Sequence, residues 1–216
     1  MRYVRIGRWS SAVDDWTVCA CTLSAPQYRR STVTVPGRDG AIDLSDALDG
    51  AVHYDMRKLT IRLENSAGTR EQRWGWISFL LNSLDGTEQD IELPDDHGRI
   101  LHGRVRVAVQ YNDNAHAAVQ ITADVDPFRY QKTETEYRLQ NSTESAKEYK
   151  LRNNGRKIVT PTFQVYNLLG TASINSHEIT ETGKYQFPDI RFPHGETVIT
   201  LTGLIAVSIR FREGVL

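Results

Sequence analysis

The acidic and histidine residues of this 216-residue chain offer few arrangements that could bind a metal or carry out catalysis. The most compact is Asp95-Asp96-His97, which lies between Pro94 and Gly98 and is therefore predicted to be a loop tip. Adjacent residues in an extended loop seldom converge on one ion, so we predict no metal site there. Asp14-Asp15 would need a distant partner to act as an acid pair, and a solvated turn is the simpler interpretation.

The known short catalytic motifs are missing from the sequence. It contains no GxSxG, HExxH, phosphate-binding P-loop or GxGxxG pattern. The six histidines are scattered rather than paired at helical spacing: His53, His97, His102, His116, His177 and His194. We therefore expect neither an enzymatic activity nor a cofactor.

The two cysteines, Cys19 and Cys21, are two positions apart. In a strand they would point to the same face with about 6–7 Å between them, which is beyond comfortable disulfide reach. The spacing also differs from the CxxC of redox proteins, and no second pair completes a zinc site. We expect two free thiols in a strand.

Aromatic residues are the remaining candidates for binding. Tyr166 and Tyr185, in the C-terminal part, could stack on sugar rings, which would give a carbohydrate-binding module. Aromatic side chains in small β-domains more often fill the core, and both interpretations stay open here.

Composition excludes several classes of protein. Charged residues make up 25% and hydrophobic residues 39% of the chain, as in ordinary globular domains. The formal net charge of −1 gives no global attraction to nucleic acid or to anionic membranes, so we expect no specific nucleic-acid binding. No apolar run approaches the ~18 residues of a membrane span, and no secretory signal is recognisable, so we expect no membrane insertion.

Most of the N-terminal part has the alternation of β-strands. Residues 16–21 and 31–35 alternate as half-buried strands do, and the second run ends in a Pro-Gly turn at residues 36–40. Residues 58–63 place Leu59, Ile61 and Leu63 on one face. Residues 104–110 and 117–124 are predicted to form a hairpin.

One segment, residues 69–84, has helical periodicity instead. Trp74, Ile77, Leu81 and Leu84 recur at spacings of three and four, with Thr69 as N-cap. Trp76, Phe79 and Leu80 widen the apolar surface beyond one stripe, which indicates packing on the helix's own sheet and on a neighbour. The alternative is that all of these side chains fill one core.

The C-terminal part is predicted to be β throughout. Residues 162–166, 198–202 and 206–212 alternate, with Phe163, Val207 and Phe211 directed inward. Recurring turn signals are typical of a small antiparallel sandwich. A polar stretch between these parts predicts two domains, residues 1–130 and 131–216, with residues 131–157 as linker or first strand.

The order of motifs resembles the distal tail protein (Dit) family of siphophages that infect Gram-positive bacteria. Trp16 is followed by Pro36-Gly37-Arg38-Asp39-Gly40, a Trp-rich helix and Ala123-Asp124-Val125-Asp126-Pro127. The C-terminal half adds Asn153-Asn154-Gly155, Gly183-x-Tyr185-x-Phe187-Pro188 and a final Phe211-Arg212-Glu213-Gly214. The resemblance covers nearly the whole chain, although each motif alone is short.

The resemblance implies a mainly β protein with a virion role. Members pair an N-terminal β-rich, split-barrel-like belt domain carrying one helix with a C-terminal galectin-like β-sandwich. They form a hexameric ring at the tail tip, between the tail tube protein and the tail-associated hub or lysin protein, and can anchor receptor-binding proteins. The chain has no room for carbohydrate-binding insertions, so the short form is expected: a virion component made in the bacterial host cytoplasm.

The residues expected at an interface between copies come from the apolar surplus of the belt domain and from its sheet edges. They are Trp74, Trp76, Phe79, Leu80, Leu59, Ile61, Arg104 and Arg106. A carbohydrate-binding host-adhesion module is the alternative function.

Overall fold

The protein is described by a computed structural model that covers residues 2–47 and 50–216. Its contacts divide the chain into two compact units, Met1–Arg129 and Tyr130–Leu216. Strands dominate both units and the described residues hold one helix, so the predicted mainly β class is confirmed.

The first unit is built on one antiparallel sheet in the order β2-β1-β7-β8-β9-β6-β3. Helix α1 connects β6 to β7, and β4 pairs with β5 in a separate two-stranded sheet. The bounds of these elements are β1 (Arg5–Ile6), β2 (Trp9–Ser10), β3 (Thr17–Leu23), β4 (Thr32–Thr34), β5 (Ala41–Asp43), β6 (Arg57–Asn65), α1 (Arg70–Leu84), β7 (Glu88–Leu93), β8 (Asp96–Asn112) and β9 (Ala117–Val125). The short strand β10 (Arg129–Gln131) spans the point in the sequence at which the first unit ends.

The predicted strand around residues 58–63 and the predicted hairpin are confirmed. Leu59, Ile61 and Leu63 of β6 all point into the core. β8 and β9 pair from Gly103 opposite Val125 to Asn112 opposite Ala117, with one bulge near Gln110. The paired part of the hairpin is slightly longer than predicted. Strand β8 also extends back to Asp96, where it pairs with β7.

The predicted half-buried strand at residues 31–35 is wrong in its burial. β4 is a strand, but every residue in it is exposed, Val33 included. It pairs with β5 alone among the described residues, and neither strand joins the main sheet. The alternation of Thr and Val therefore predicted the strand correctly. It does not indicate whether a hydrophobic core packs against that strand.

The second unit is a six-stranded antiparallel sheet in the order β11-β16-β13-β14. The long strand β16 pairs through its first half with β12 and through its second half with β11, and β15 pairs with β13. The bounds are β11 (Thr135–Asn141), β12 (Lys147–Asn153), β13 (Thr162–Ile174), β14 (His177–Ile179), β15 (Gly183–Tyr185), β16 (Gly195–Phe211) and β17 (Gly214–Val215).

The inward side chains of both halves of β16 share one hydrophobic core with those of β13. Phe163, Val207, Ile209 and Phe211 lie in it, as their alternation predicts. The stretch at residues 131–157, taken above as linker or first strand, contains two strands, β11 and β12.

Candidate assembly surfaces

Helix α1 begins where the sequence predicts because its first turn is fully capped. The Thr69 hydroxyl accepts a hydrogen bond from the Gln72 main-chain N–H at 3.3 Å, and the Gln72 side-chain oxygen accepts one from the Thr69 N–H at 2.8 Å. This reciprocal capping box satisfies two main-chain donors that a helix start otherwise leaves unpaired. The N-cap prediction for Thr69 is therefore confirmed.

The buried face of the helix is turned from the predicted stripe by about 50°, half the angle between consecutive residues. Its buried face consists of Arg73, Ile77, Leu80 and Leu84 rather than the stripe that begins at Trp74. Arg73 is 1% exposed, and its guanidinium donates to the main-chain oxygens of Gly68 and Asp113, each at 2.8 Å. Because these oxygens satisfy the buried cation, Arg73 can occupy a core position that the apolar pattern assigned to its neighbour.

The rotation sorts the four interface candidates of the helix into two groups. Trp74 and Phe79 are 44% and 50% exposed and lie on the solvent side. Trp76 is half-buried and packs against the core, while Leu80 is fully buried. Trp74 and Phe79 remain available to a partner, whereas Leu80 is not.

The sheet candidates divide in the same way. Leu59 and Ile61 have no exposed surface, so they belong to the core of a single copy. They are not accessible to a neighbouring copy. Arg104 and Arg106 are exposed on β8, and Arg104 forms an ion pair with Glu88 at 2.7 Å. The outward residues of these strands, rather than their apolar face, are accessible.

Strand β3 forms one open edge of the main sheet. The Ser24 N–H donates to the Lys58 oxygen at 2.9 Å, which makes Ser24 and Lys58 a hydrogen-bonded pair. Hydrogen-bonded and non-bonded pairs alternate along antiparallel strands. With Thr22 opposite Thr60 and Cys21 opposite Ile61, the main-chain groups of Cys21 and Leu23 therefore point away from the sheet.

The end of β8 around Val109 is a second open edge. Strand β7 pairs with β8 only as far as Arg104, whereas β9 pairs with β8 as far as Asn112. Outward-pointing groups at Val105 and Val107 are bound by the chain after helix α1: Val105 N–H donates to Thr87 O at 2.9 Å and Val107 N–H to Asp85 Oδ1 at 2.8 Å. The same alternation directs the main-chain groups of Val109 outward.

Residues 24–56, here called the arm, form a third surface. None of the arm residues that the structure describes is buried. Its two limbs bind each other through the Tyr28–Tyr54 bridge and the Arg29–Asp55 ion pair at 2.8 Å. Its exposed large apolar side chains are Tyr28, Val33, Val35, Leu44, Val52 and Met56. Sequence reasoning missed this surface, although the density of Pro, Gly and polar residues around the valines was a usable signal.

The two tyrosines proposed for sugar contact do not share a site in the second unit. Tyr185 is paired with Phe163 and therefore points to the core face, where it stacks with Phe187 at 6.1 Å between ring centroids. Tyr166 stands at a bulge beside buried Val165 and is 54% exposed. Tyr185 is half-buried, so Tyr166 is the more exposed of the two.

The outer face of the same sheet carries a charged network that the sequence did not predict. One oxygen of Glu136 accepts hydrogen bonds from Ser208 Oγ at 2.6 Å and from Arg210 Nη2 at 2.9 Å, and the other accepts one from Arg138 Nη2 at 3.2 Å. The Ser208 hydrogen bond, followed by those from Arg210 and Arg138, lowers the pKa of Glu136 to about 2. This carboxylate is therefore ionised under all ordinary conditions.

Residues 2–47 and 50–216 contain no group of three or more His, Cys, Asp and Glu side chains placed to hold an ion. Over those residues, no helix has both the length and the apolarity that crossing a membrane requires.

Comparison with known proteins gives a likeness in structure alone. No protein-family profile matches the sequence, and no curated protein sequence matches it. Among solved structures, the crystal structure of SPP1 Dit (gp 19.1), described as a paradigm of hub adsorption apparatus in Gram-positive infecting phages, has a TM-score of 0.71. The two are 16% identical, and the match covers 99% of each chain. At this identity, the likeness establishes a shared fold.

Proposed function

We propose that this chain is a distal tail protein: a non-enzymatic, structural component of a siphophage tail tip whose copies form a ring. The ring would connect the tail tube to tail-associated hub or baseplate proteins and hold receptor-binding proteins. The shared fold with SPP1 Dit over the full length supports this proposal, and so does the order of sequence motifs. The protein would be made in the host cytoplasm and function in the virion.

The observation that carries the proposal is the pair of open edges on one sheet. Strands β8, β9, β6 and β3 are consecutive and antiparallel, with the β3 edge at one side and the end of β8 around Val109 at the other. If β3 of one copy pairs with β8 of the next, the alternation of strand directions continues without a break. Such a contact joins two different patches and is therefore heterologous, which is the geometry that closes into a ring.

Six copies joined in this way would place about 24 strands around one channel, roughly 40–50 Å across between main chains. Pairing of the edges would satisfy the outward main-chain groups of Cys21, Leu23 and Val109, which otherwise remain open to unspecific association. We propose the exposed arm and the Trp74 and Phe79 side chains as further contacts to neighbouring copies or to the tail proteins above and below.

Substitution of Cys21 by proline tests the edge contact. Cys21 directs its N–H away from β6, so proline removes a donor from the open edge while every hydrogen bond within the sheet remains. We expect Cys21→Pro to fold as a monomer, with rings lost in sedimentation velocity and negative-stain images. Cys21→Ala is the matched control and should assemble as the unmodified chain does.

Two results would contradict the proposal. If Cys21→Pro assembles as well as Cys21→Ala, β3 is not at the interface. If the unmodified chain stays monomeric at high concentration and shows no rings, the ring itself is wrong.

A carbohydrate-binding host-adhesion module remains the second candidate function. The exposed ring of Tyr166 and the polar network around Glu136 favour it. Both functions are compatible in one protein because the edges lie in the first unit and this network lies in the second.

A further inference from the structure

The outer face of the second unit carries a row of polar side chains across four hydrogen-bonded strands. Arg138 on β11 lies opposite Ser208 on β16, Ser208 lies opposite Gln164 on β13, and Gln164 lies opposite Lys184 on β15. Paired residues share a face, so these side chains form one line about 14 Å long.

A second row lies beside the first. Glu136 is opposite Arg210, and Arg210 is opposite Thr162. Tyr166 is the inserted residue at the bulge that follows the Gln164 position. We call this surface the polar face; it consists of Glu136, Arg138, Gln164, Tyr166, Lys184, Ser208 and Arg210.

The guanidinium groups of the polar face are held in place. Glu136 accepts from Nε and Nη2 of Arg210 at 3.1 and 2.9 Å and from Arg138 at 3.2 Å. Ser208, which is 3% exposed, fixes the carboxylate from below at 2.6 Å. A guanidinium has five donors, so both arginines keep several donors directed at solvent after binding Glu136. Because both side chains are already ordered in the free protein, ligand binding costs little further side-chain entropy.

The charge of the polar face favours an anion. Arg138, Arg210 and Lys184 contribute three positive charges, and ionised Glu136 contributes one negative charge. The net charge of this face is therefore 3 − 1 = +2, whereas the whole chain carries −1. Fixed guanidinium forks match carboxylate and phosphate groups in a bidentate manner.

The other groups favour a polyhydroxy ligand over a protein. The amide of half-buried Gln164 can exchange hydrogen bonds with hydroxyl groups, and the exposed Tyr166 ring offers a flat apolar surface of the size of a sugar ring. A protein partner would need a desolvated apolar centre, and Tyr166 is the one large apolar side chain of the polar face. We propose that the polar face binds an acidic polysaccharide, with Arg138 and Arg210 on its carboxylate or phosphate groups and Tyr166 against a sugar ring.

Isothermal titration of the full chain with defined probes tests this. The probes are tetragalacturonate, which has carboxylates and sugar rings; a glycerol phosphate oligomer, which has phosphates and no rings; and neutral maltotetraose. We expect tetragalacturonate to bind and maltotetraose to bind at least about tenfold more weakly. Absence of binding by both acidic probes, or equal binding of acidic and neutral ones, would overturn the proposal.

Variants locate the site. Arg138→Gln combined with Arg210→Gln should weaken tetragalacturonate binding about tenfold or more. The matched control, Lys150→Gln combined with Arg152→Gln, removes the same charge from β12, where these residues pair with Val198 and Glu196 on the other half of β16. An equal loss in the control would show unspecific attraction and refute the site.

Tyr166→Ala separates the two ligand types. Binding of tetragalacturonate should fall about fivefold, because stacking is lost, while binding of the glycerol phosphate oligomer should be unchanged. The sugar-ring part of the proposal is wrong if only the phosphate oligomer binds and Tyr166→Ala does not change its binding. This proposal does not depend on ring formation, and sedimentation of the same variants reports the two independently.

Discussion

The guanidinium of Arg73, on helix α1, donates a hydrogen bond to the main-chain oxygen of Asp113, in the loop between β8 and β9, at 2.8 Å. Further bonds join it to the oxygens of Ala67 and Gly68 and to Asn112 Oδ1. One buried cation therefore fixes the start of the helix to the tip of the longest hairpin, with main-chain and amide oxygens in place of a carboxylate.

Replacement of Arg73 by methionine should destabilise the first unit by about 3 kcal/mol. Methionine keeps the volume of the stem, but four oxygens lose their donor in a site that excludes water. Arg70→Met, at an exposed position of the same turn, should change the free energy of unfolding by less than about 0.5 kcal/mol. Urea denaturation of both variants checks this, and equal values would mean that solvent reaches the Arg73 site.

Trp74 and Trp76 should respond in opposite ways to substitution by serine. Trp76 packs against the core, so Trp76→Ser should cost about 2 kcal/mol of stability. Trp74 is largely solvent-facing, so Trp74→Ser should leave the stability of the monomer within about 0.5 kcal/mol while weakening ring assembly. Thermal unfolding and sedimentation of the two variants measure these effects. Intact assembly of Trp74→Ser would remove this face from the interface.

Two glycines of β8 provide another matched pair. A Cβ at Gly103 would lie 2.3 Å from the Asp124 oxygen and 2.7 Å from Val125 Cα, both main-chain atoms that cannot move without disturbing the ladder. Gly103→Ala should therefore destabilise the first unit by about 2 kcal/mol. A Cβ at Gly98 would have Asp96 Oδ1, at 4.0 Å, as its nearest neighbour, so Gly98→Ala should be close to neutral. A neutral Gly103→Ala would mean that β8 and β9 are not held in this register.

Stability of the second unit should depend on pH through Glu136. Its pKa is about 2 in the folded protein, whereas the ordinary value for a glutamate side chain is 4.5. A lowered folded pKa stabilises the fold above pH 4.5, and this contribution is lost as pH falls from there towards 2. Glu136→Gln should thus be less stable than the parent at pH 6, with the difference closing towards pH 2. The control Gln140→Ala, also on β11, should show the same pH dependence of the free energy of unfolding as the parent. Urea denaturation at several pH values measures this, and a pH-independent difference for Glu136→Gln would contradict the prediction.

The elements that depend on near neighbours were predictable. The cap at Thr69, the helix over residues 70–84 and the inward residues of β6 and β16 follow from hydrogen bonds and periodicity within a few residues. The face of helix α1 was not predictable in the same way. Arg73 replaces Trp74 in the core because oxygens from residues 112 and 113, some 40 positions away, help to satisfy its charge. Periodicity contains no information about those contacts.

The sequence alone determined a mainly β chain with one capped helix, because strand alternation and helix capping are local. The tertiary structure decided which surfaces are left open. Leu59 and Ile61 are enclosed by their own sheet, the arm has no core beneath it, and Glu136 meets Ser208 and Arg210 across more than 70 positions. Edges, exposed faces and charge networks arise from contacts between distant segments, so they exist only once the strands have paired.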